Sequence, residues 1–535
     1  MTSHRPAAVI IMAAGQGTRM KSATPKVLHE IGGRSLVGHA VVAARALAPE
    51  HLVVVVGTGR EQVEAHLATV DPDVRTAVQE QQLGTGDAVR SGLTAVPDDF
   101  DGTVIVTSGD VPLLKSDTLK ELVGEHEARG NAVTVLTARV PDPTGYGRIV
   151  PSDDGSVAGI VEHKDATPEQ REIDEINAGI YAFDAATLRD GLSRLTTDNA
   201  QGELYLTDVL AIAKSDGKRV GAYVTEDAMQ TEGVNDRVQL AALRAELNRR
   251  TLDTLMRAGV TVVDPNTTWV DSTVTLERDV TLLPNTQLHG ATTVATGATI
   301  GPDTTLTDIQ VGEGATIIRC HGSSAVIGAG ASVGPFAYLR PGTTLGVKGK
   351  IGTFVETKNT AIGDGAKVPH LTYAGDATIG EGANVGAGTI FANYDGVKKH
   401  HSTVGRHVFI GSNSVLVAPA NIADGAYIAA GTALSDAVGP GEMAVARGKQ
   451  RNIAGWVARK RAGTKTAKAA EEALAATEAA NAEAGPADAG AGAANAGAVD
   501  AGPGAVDAGG TSAAGAAPGG LPGDTGDKDQ REARP

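Results

Sequence analysis

Residues 270–306 read VDSTVTLERDVTLLPNTQLHGATTVATGATIGPDTTL, and an aliphatic side chain returns at every sixth position. The residues that keep this register are Val270, Leu276, Leu282, Leu288, Val294, Ile300 and Leu306. A six-residue register resumes twice further on, at Ile327, Val333, Leu339, Leu345 and Ile351, and at Val404, Ile410, Leu416, Ile422, Ile428 and Leu434. This period fits neither a helix, at about 3.6 residues, nor a lone strand, at about 2. It predicts a parallel β-helix in which each short face takes one hexapeptide and points its aliphatic side chain inward.

Composition limits the class of protein and its partners. A chain of 535 residues exceeds a single core, so several domains are expected. The formal net charge of −16 argues against nucleic acid as a partner. The single cysteine, Cys320, excludes a disulfide framework and a cysteine-based zinc site, and we interpret it as a small residue of the β-helix wall. No apolar run is long enough to span a membrane. We interpret the apolar start, residues 7–14, as a buried strand rather than a signal peptide, which predicts a cytoplasmic protein.

The first part of the chain alternates strands and helices. Ala8–Met12, Leu52–Val56 and Val104–Thr107 are predicted as buried strands, and Leu36–Ala48 as a helix. Such alternation predicts a parallel sheet covered on both faces, whose ligands collect at the carboxyl ends of the strands. The loops that follow the first and third strands are therefore the candidate binding loops.

The first of these loops reads AAGQGTRM over residues 13–20 and is followed by PKVL at 25–28. It lacks the third glycine of a dinucleotide fingerprint and is not a Walker loop. Its glycines would let backbone amides approach phosphates, and Arg19 and Lys26 would balance their charge, although a simple tight turn explains the glycines equally well. The second loop, SGDVPL at 108–113, places Asp110 where Mg²⁺ could bind. A lone aspartate in a turn is also common.

The combination of motifs is more specific than any one of them. The two loops resemble those of the sugar-nucleotide pyrophosphorylases. Further motifs are LGTG at 83–86, GYGRIV at 145–150, VE at 161–162, NAG at 177–179 and GVND at 233–236. Together with the hexapeptide repeats, they resemble the bacterial family of bifunctional N-acetylglucosamine-1-phosphate uridyltransferases and glucosamine-1-phosphate N-acetyltransferases. The resemblance covers residues 7–456.

This resemblance implies roles for residues of the first domain. Arg19 and Lys26 would be catalytic, and Asp110 and Asn235 would bind Mg²⁺. The uridine part would contact Ala13, Gly15, Gln79, Gly84 and Thr85, with Met12, Ala14 and Lys26 as further substrate contacts. The sugar and its acetamido group would contact Gly147, Glu162 and Asn177. Two positions depart from the family pattern: Asp87 stands where a histidine is expected, and Ser108 where a tyrosine is common.

The six-residue register breaks between Ile351 and Val404, and a polar insertion follows Phe391. The resemblance implies an acetyltransferase site here, with His370 as the proton acceptor. A histidine suits this task because its ordinary pKa lies near ~6.5. The glucosamine phosphate would contact Arg340, Lys358, Tyr373 and Asn384. Acetyl-CoA would contact Asn393, Tyr394, Ser412, Ala430 and Arg447, where Asn393 would also orient the base or the amine and Tyr394 would support the tetrahedral centre. The adjacent His400 and His401 are interpreted as loop residues.

The predicted organisation has four parts. Residues 1–236 form an α/β Rossmann-like uridyltransferase domain, 237–258 an amphipathic linker helix, 259–456 a left-handed parallel β-helix with acetyltransferase activity, and 457–535 an Ala/Gly-rich tail, largely disordered. Within this tail, residues 459–484 have helical propensity. The family resemblance implies a homotrimer in which each acetyl-transfer pocket is lined by more than one subunit.

The expected function is the synthesis of UDP-N-acetylglucosamine for cell-wall precursors from glucosamine 1-phosphate, acetyl-CoA and UTP, with Mg²⁺. Two other classes share part of the pattern. A monofunctional pyrophosphorylase with a structural solenoid would not need the His370 segment or the insertion. A scaffold protein with an inactive α/β domain would not need Lys26, Asp110 and Asn235 together.

Overall fold

The computed structural model describes residues 5–152, 156–199 and 201–483. They form two compact units, one up to Gly448 and one from Lys449 onward. The segment 485–535, for which the sequence predicts disorder, lies outside the described residues.

The first unit begins with a mixed, nine-stranded sheet. Its strands are Ala8–Met12, His51–Val56, Arg75–Val78, Thr103–Ser108, Val133–Arg139, Arg148–Pro151, Val157–Val161, Glu175–Asp184 and Val220–Thr225. Ala8–Met12 is buried and pairs in parallel with His51–Val56 and Thr103–Ser108, so the three predicted strands are confirmed. The predicted parallel pairing holds for these strands but does not extend through the whole sheet, because Glu175–Asp184 runs antiparallel to all three strands with which it pairs. The hairpin of 148–151 and 157–161, rather than a crossover helix, leads into that strand, so the chain returns in the opposite direction.

Helices cover both faces of this sheet. The α-helices are Leu36–Arg45, Arg60–Val70, Thr85–Leu93, Ser116–Ala128, Pro168–Arg171, Ala185–Ser193 and Asp208–Ser215. Short 3₁₀ helices are Thr18–Met20, Lys26–Leu28 and Ala228–Thr231, and a small ribbon pairs Glu30–Ile31 with Arg34–Ser35. Along the first strand, Ala8 and Ile10 belong to one apolar layer and Val9 and Ile11 to the other. Both faces of the sheet are therefore covered by apolar side chains, and polar side chains that bind a ligand are expected at the ends of the strands.

One helix, Arg237–Arg257, joins this domain to the β-helix. Asp236 caps it by accepting hydrogen bonds from the backbone N–H groups of Val238 and Gln239, each at 2.9 Å. Its first turns pack Leu240 and Leu243 on the α/β domain, whereas Leu252 belongs to the β-helix core. Buried Asn248 lies between them, donates to the Thr268 carbonyl at 2.8 Å and accepts from the Val270 N–H at 3.0 Å. The helix thus ties its two ends to two different cores.

The β-helix has three faces built from parallel strands. The first contains Thr261–Val262, Thr281–Leu282, Thr299–Ile300, Thr316–Ile317, Ser332–Val333, Lys350–Thr353, Lys367–His370, Asn384–Val385, Phe409–Ile410, Tyr427–Ile428 and Met443–Ala444. The second contains Trp269–Val270, Thr286–His289, Thr304–Thr307, His321–Ser323, Tyr338–Leu339, Ile390–Ala392, Val415–Val417 and Ala433–Leu434. The third contains Thr275–Leu276, Thr293–Val294, Gln310–Val311, Ala325–Ile327, Thr343–Leu345, Ser402–Val404 and Asn421–Ile422. Glu356–Ile362 and Tyr373–Ile379 run through the second and third faces.

The six-residue register fills the interior of this solenoid. Thr281 pairs with Thr299, 18 residues on, so one coil takes three hexapeptides. Every aliphatic residue of the three register runs is buried and belongs to one continuous core, which confirms the predicted β-helix. Burial of each such side chain contributes about 1.5–3 kcal/mol relative to exposure. Cys320 is also in this core, and its burial raises the thiol pKa to about 11.

One coil is longer than the others. Ala377 pairs with Ser402, 25 residues on, because residues 393–401 leave the solenoid as a loop. Asp395 closes this loop by accepting hydrogen bonds from the backbone N–H groups of Val397 and Lys398 and by contacting His400 Nε2 at 2.7 Å. These contacts lower the pKa of Asp395, and the Lys398 N–H is the largest cause. His401 Nε2 lies 2.9 Å from the Thr378 hydroxyl. Both His400 and His401 therefore make contacts that hold the loop, in agreement with their interpretation as loop residues.

The second compact unit contains the helices Trp456–Lys460 and Lys465–Glu483. The second of these lies within the stretch for which the sequence predicts helical propensity. Among the described residues of the whole chain, no helix is long and apolar enough to cross a membrane.

The stability of the folded protein is expected to depend on pH through a histidine at the junction of the first two domains. His289 Nδ1 lies 3.3 Å from the carboxylate of Asp271, which raises the pKa of His289. Asp271 packs directly against Gly33 of the α/β domain, and Glu30 and Arg244 line the adjoining cavity. Because the folded-state pKa is raised, the contribution is fully present below the ordinary value near 6.5 and is lost as the pH rises through the folded-state pKa.

We therefore expect His289→Gln to lower the thermal midpoint most near pH ~6 and progressively less at higher pH. Exposed His321→Gln is the matched control for the loss of an imidazole from the surface of the β-helix. A His289→Gln effect of constant size from pH ~6 to ~9 would contradict this account.

Candidate active sites

A cavity of about 260 Å³ lies at the carboxyl ends of the central strands. Its walls include nine residues that the sequence predicts as substrate or metal contacts: Met12, Ala13, Ala14, Gly15, Lys26, Gln79, Gly84, Thr85 and Asp110. They come from five separate segments of the chain, and the two candidate loops are among them. The sequence prediction did not include the further lining residues Val27, Gln82, Ala88 and Glu203. Gln82 closes the cavity by donating to the Ala14 carbonyl at 2.8 Å.

The backbone of the glycine loop lies close to the side chain of Lys26. Gly17 has φ 60°, and a Cβ added there would lie 2.6 Å from Lys26 Cβ. Only glycine fits this left-handed position without displacing the short helix that begins at Lys26. The close approach therefore places the Lys26 side chain in the cavity wall.

Two pairs, each formed by a cation and an oxygen donor, come from the loops after the strands, and only the pair of Lys26 and Asp110 lines the cavity. The Lys26 ammonium contacts the carboxylate of Asp110, and Arg19 Nη2 donates to Asn235 Oδ1 at 2.8 Å. The Val234 N–H donates to the Asp110 carbonyl at 2.9 Å, which holds the Asp110 and Asn235 segments together. The Ser108 hydroxyl donates to Asp110 Oδ1 at 2.5 Å, so the departure at Ser108 supports the aspartate.

The oxygen donors of these two pairs fit Mg²⁺. Asp110 and Asn235 offer a carboxylate and an amide oxygen, which are hard ligands. Among the described residues, no group of three or more His, Cys, Asp or Glu side chains could hold a metal alone. An ion here would complete its shell with phosphate oxygens and water, as Mg²⁺ commonly does.

The three predicted sugar contacts lie together beside the inserted hairpin. The Asn177 N–H donates to the Gly147 carbonyl at 2.9 Å, and a Cβ on Gly147 would lie 3.3 Å from Glu162 Oε1. Burial raises the pKa of Glu162, with smaller contributions from Asp165 and Asp208. Tyr181, absent from the sequence prediction, exchanges hydrogen bonds with the Asn177 amide at 2.8 and 3.0 Å, and the Gly179 N–H fixes the orientation of this amide by donating to Asn177 Oδ1 at 2.9 Å.

The second candidate site is a corner of the β-helix shared by successive coils. The Gly388 N–H donates to the His370 carbonyl at 3.2 Å, and the Asn413 N–H donates to the Ala387 carbonyl at 2.7 Å. The Gly431 N–H then donates to the Ser412 carbonyl at 2.8 Å. His370, Ser412 and Ala430 therefore stand in one column, although the sequence separates them widely.

This column also offers hydrogen-bond donors. Among the described residues, the backbone N–H groups of Ser412 and Ala430 have no acceptor. Arg447 Nη1 donates to the Ala430 carbonyl at 2.8 Å, which anchors a guanidinium at the same corner. Such a row of amides and a cation suits an elongated ligand with amide and phosphate groups.

A cluster of cations occupies the adjoining face. Arg340 Nη1 donates to Glu356 Oε1 at 2.8 Å, and the neighbouring Lys399 and Arg340 lower the pKa of Lys358. Gly375 pairs with Lys358 and leaves room above it for the hydroxyl of Tyr373. Lys399 comes from the loop 393–401 and is absent from the sequence prediction. The sequence does not reveal its position near Lys358, because that position depends on how the loop folds.

Asn393 links this cluster to a carboxylate that the sequence prediction also missed. Its Nδ2 donates to Asp376 Oδ2 at 2.5 Å and to the Tyr373 hydroxyl at 3.4 Å. Two predicted residues are not brought into this cluster. Asn384 lies on the first face, paired with Lys367 and Phe409, and the Tyr394 hydroxyl donates to the Gly396 carbonyl within the loop.

The α/β domain and its cavity define a nucleotidyltransferase joined to a left-handed parallel β-helix. The nucleotidyl transferase family model matches residues 8–272. Three proteins called bifunctional protein GlmU are close relatives. The one from Corynebacterium aurimucosum is 59% identical over 87% of this chain and 96% of its own length. The one from Pseudarthrobacter chlorophenolicus is 60% identical over 88% of this chain and 96% of its own length. The one from Streptomyces coelicolor is 60% identical over 88% of this chain and 98% of its own length.

The chain belongs to the GlmU family of bifunctional proteins. It is a bifunctional enzyme of UDP-N-acetylglucosamine synthesis with uridyltransferase and acetyltransferase activity, as the sequence predicts.

Proposed function

We propose that the cavity of the α/β domain carries out the uridyltransferase reaction with the residues described above. A phosphate oxygen of N-acetylglucosamine 1-phosphate attacks the α-phosphorus of UTP, the bond to the β-phosphate oxygen breaks, and pyrophosphate leaves. Lys26 and Arg19 balance the charge that develops on the phosphates. Gln79, Gly84 and Thr85 hold the uridine, with Ala13 and Gly15, and Gly147, Glu162 and Asn177 hold the sugar.

Asp110 and Asn235 would hold Mg²⁺ in this proposal. The ion supplies charge neutralisation to the phosphate oxygens when it is bound. The two side chains engage Lys26 and Arg19 in the structure, so each donor is already positioned next to a cation that can move to a phosphate.

The corner column of the β-helix would carry out acetyl transfer. His370 takes the proton from the amine of glucosamine 1-phosphate, the amine nitrogen attacks the thioester carbonyl, and the carbon–sulfur bond breaks to release coenzyme A. Arg340, Lys358 and Tyr373 hold the sugar phosphate, and Asn384 is proposed to contact it from the neighbouring face. Asn393 and Tyr394 support the reacting centre, and Ser412, Ala430 and Arg447 bind acetyl-CoA. Both co-substrates are cytoplasmic metabolites, so we propose that the enzyme acts in the cytoplasm.

The observation that carries the proposal is that one chain holds two separate sets of anion-binding groups, one at the strand ends and one on the β-helix. An omission assay tests it. Glucosamine 1-phosphate, acetyl-CoA, UTP and Mg²⁺ should together give UDP-N-acetylglucosamine. Leaving out acetyl-CoA should stop the reaction unless N-acetylglucosamine 1-phosphate is supplied. Product formed only from the pre-acetylated sugar would favour a monofunctional enzyme.

We further propose a homotrimer in which neighbouring subunits complete each acetyl-transfer pocket. The support is that Tyr394 and Asn384 lie outside the cluster formed by Arg340, Lys358 and Tyr373, so the proposed contacts are dispersed in one subunit. Light scattering should give three times the mass of one chain. A stable monomer with full acetyl transfer would contradict the trimer.

Replacing Lys399 is expected to weaken the binding of glucosamine 1-phosphate. Its ammonium lies close enough to Lys358 to lower the pKa of that lysine, and a phosphate would relieve this repulsion. We expect Lys399→Ala to raise the KM for glucosamine 1-phosphate roughly tenfold, the effect of losing one charge-assisted contact. The adjacent Lys398→Ala is the control and should leave KM unchanged. Equal effects of the two substitutions would remove Lys399 from the site.

A further inference from the structure

Asp87 contacts the side chain that faces the nucleotide cavity. It lies in the first turn of the helix Thr85–Leu93, and its side chain is 14% exposed. Asp87 Oδ2 accepts a hydrogen bond from Gln79 Nε2 at 3.0 Å, and Oδ1 accepts one from Arg90 Nη2 at 2.7 Å. Asp87 itself does not line the cavity, whereas Gln79 does. Any influence of Asp87 on the nucleotide would therefore act through Gln79.

Both protons of the Gln79 amide are donated to acceptors of the protein. Its Nε2 donates to Asp87 and also to the Gly84 carbonyl, at 3.1 Å. Rotating the amide by half a turn would place its oxygen against a carboxylate and a carbonyl, which repel it. The carboxylate of Asp87 can only accept, so it holds one orientation of the amide, whereas a histidine at this position could donate or accept.

The opposite end of the amide is left as a hydrogen-bond acceptor. Among the described residues, the Gln79 amide oxygen has no donor, and it is not sealed from solvent. Gln79 lines the cavity together with Ala13, Gly15, Gly84 and Thr85. A hydrogen-bond acceptor at this position would favour a nucleobase whose hydrogen-bonding edge carries an N–H donor.

We propose that Asp87 is a positioning residue that sets nucleobase selection by fixing Gln79 as an acceptor. Uracil carries a proton on N3 and can donate to the Gln79 oxygen. Cytosine has an unprotonated N3, which would face that oxygen as a second acceptor. The proposal rests on the proposed uridine site and adds the group that orients its amide. Loss of a matched hydrogen bond and exposure of an unpaired acceptor make such discrimination large.

The test compares UTP with CTP as substrates of the full chain. Asp87→Asn keeps the size of the side chain but can donate or accept, so only the Gly84 carbonyl still favours the original orientation of Gln79. We expect the ratio of kcat/KM for UTP to that for CTP to fall roughly tenfold or more, since the loss for UTP is accompanied by a relative gain for CTP. Asp87→Ser should lower the ratio in the same direction with a smaller side chain, should the asparagine variant fold poorly.

Arg90→Gln is the matched control, because it removes the ion pair to Asp87 but leaves the Asp87–Gln79 hydrogen bond. It should keep the wild-type ratio. Equal losses for both nucleotides in Asp87→Asn would assign Asp87 a purely structural role and overturn the inference, as would an unchanged ratio. Failure of the wild-type protein to use UTP would instead overturn the proposed function, so the two failures are distinguishable.

Discussion

Replacing Lys26 by alanine is expected to slow pyrophosphate release from UTP and N-acetylglucosamine 1-phosphate by roughly 10²–10³, the usual effect of removing one preorganised charge at a reacting centre. The Lys26 side chain is only 14% exposed and lies in the cavity wall, so its charge is poorly screened by solvent. Gly17 holds its stem in place, which keeps the ammonium at the phosphate end.

Acetyl transfer by the same variant should be unchanged, because the β-helix residues lie in another domain. Lys120→Ala is the control, since that lysine is exposed and forms an ion pair with Asp117 on an outer helix. Circular dichroism would verify folding. If both activities fell in a folded Lys26→Ala protein, the assignment of the two reactions to separate sites would fail.

The register of the β-helix could be predicted from the sequence because its cause is local. An aliphatic residue at every sixth position is buried wherever the coil repeats, and all the register residues from Val270 to Leu434 are buried. The mixed sheet could not be predicted, because the direction of Glu175–Asp184 depends on a hairpin of weak pattern. A short strand signal gives no direction.

The candidate sites divide in the same way. Contacts carried by motifs, such as Lys26 and Asp110, could be assigned by position from the family resemblance, and the structure places them in one cavity. Contacts that depend on how a loop folds or on an irregularity in strand pairing could not be assigned. Lys399 reaches Lys358 only because the loop folds back, and Tyr181 reaches Asn177 across a break in strand register. Asp87 departs from the family motif, and the role proposed for it rests on its hydrogen bond to Gln79, which the sequence does not show.

Replacing His370 by alanine is expected to slow acetyl transfer by roughly 10²–10⁴, the range for a positioned general base. The imidazole is exposed, and its residue stands in the same corner column as Ser412 and Ala430. An amine that is bound as an ammonium cannot attack the thioester, so a neighbouring group must accept its proton. Histidine is the side chain that is largely neutral and still basic near pH ~7.

The remaining activity should identify the role of His370. A lost base is expected to leave the KM for glucosamine 1-phosphate nearly unchanged and to lower kcat, because the phosphate contacts from Arg340 and Lys358 remain. His370→Ala should therefore differ from the wild type in kcat for acetyl transfer rather than in KM. His407→Ala, which replaces an exposed histidine on another corner, is the control and should keep the wild-type kcat and KM. Near-normal acetyl transfer by His370→Ala from pH ~6 to ~9 would remove this residue from the mechanism and direct attention to Tyr394.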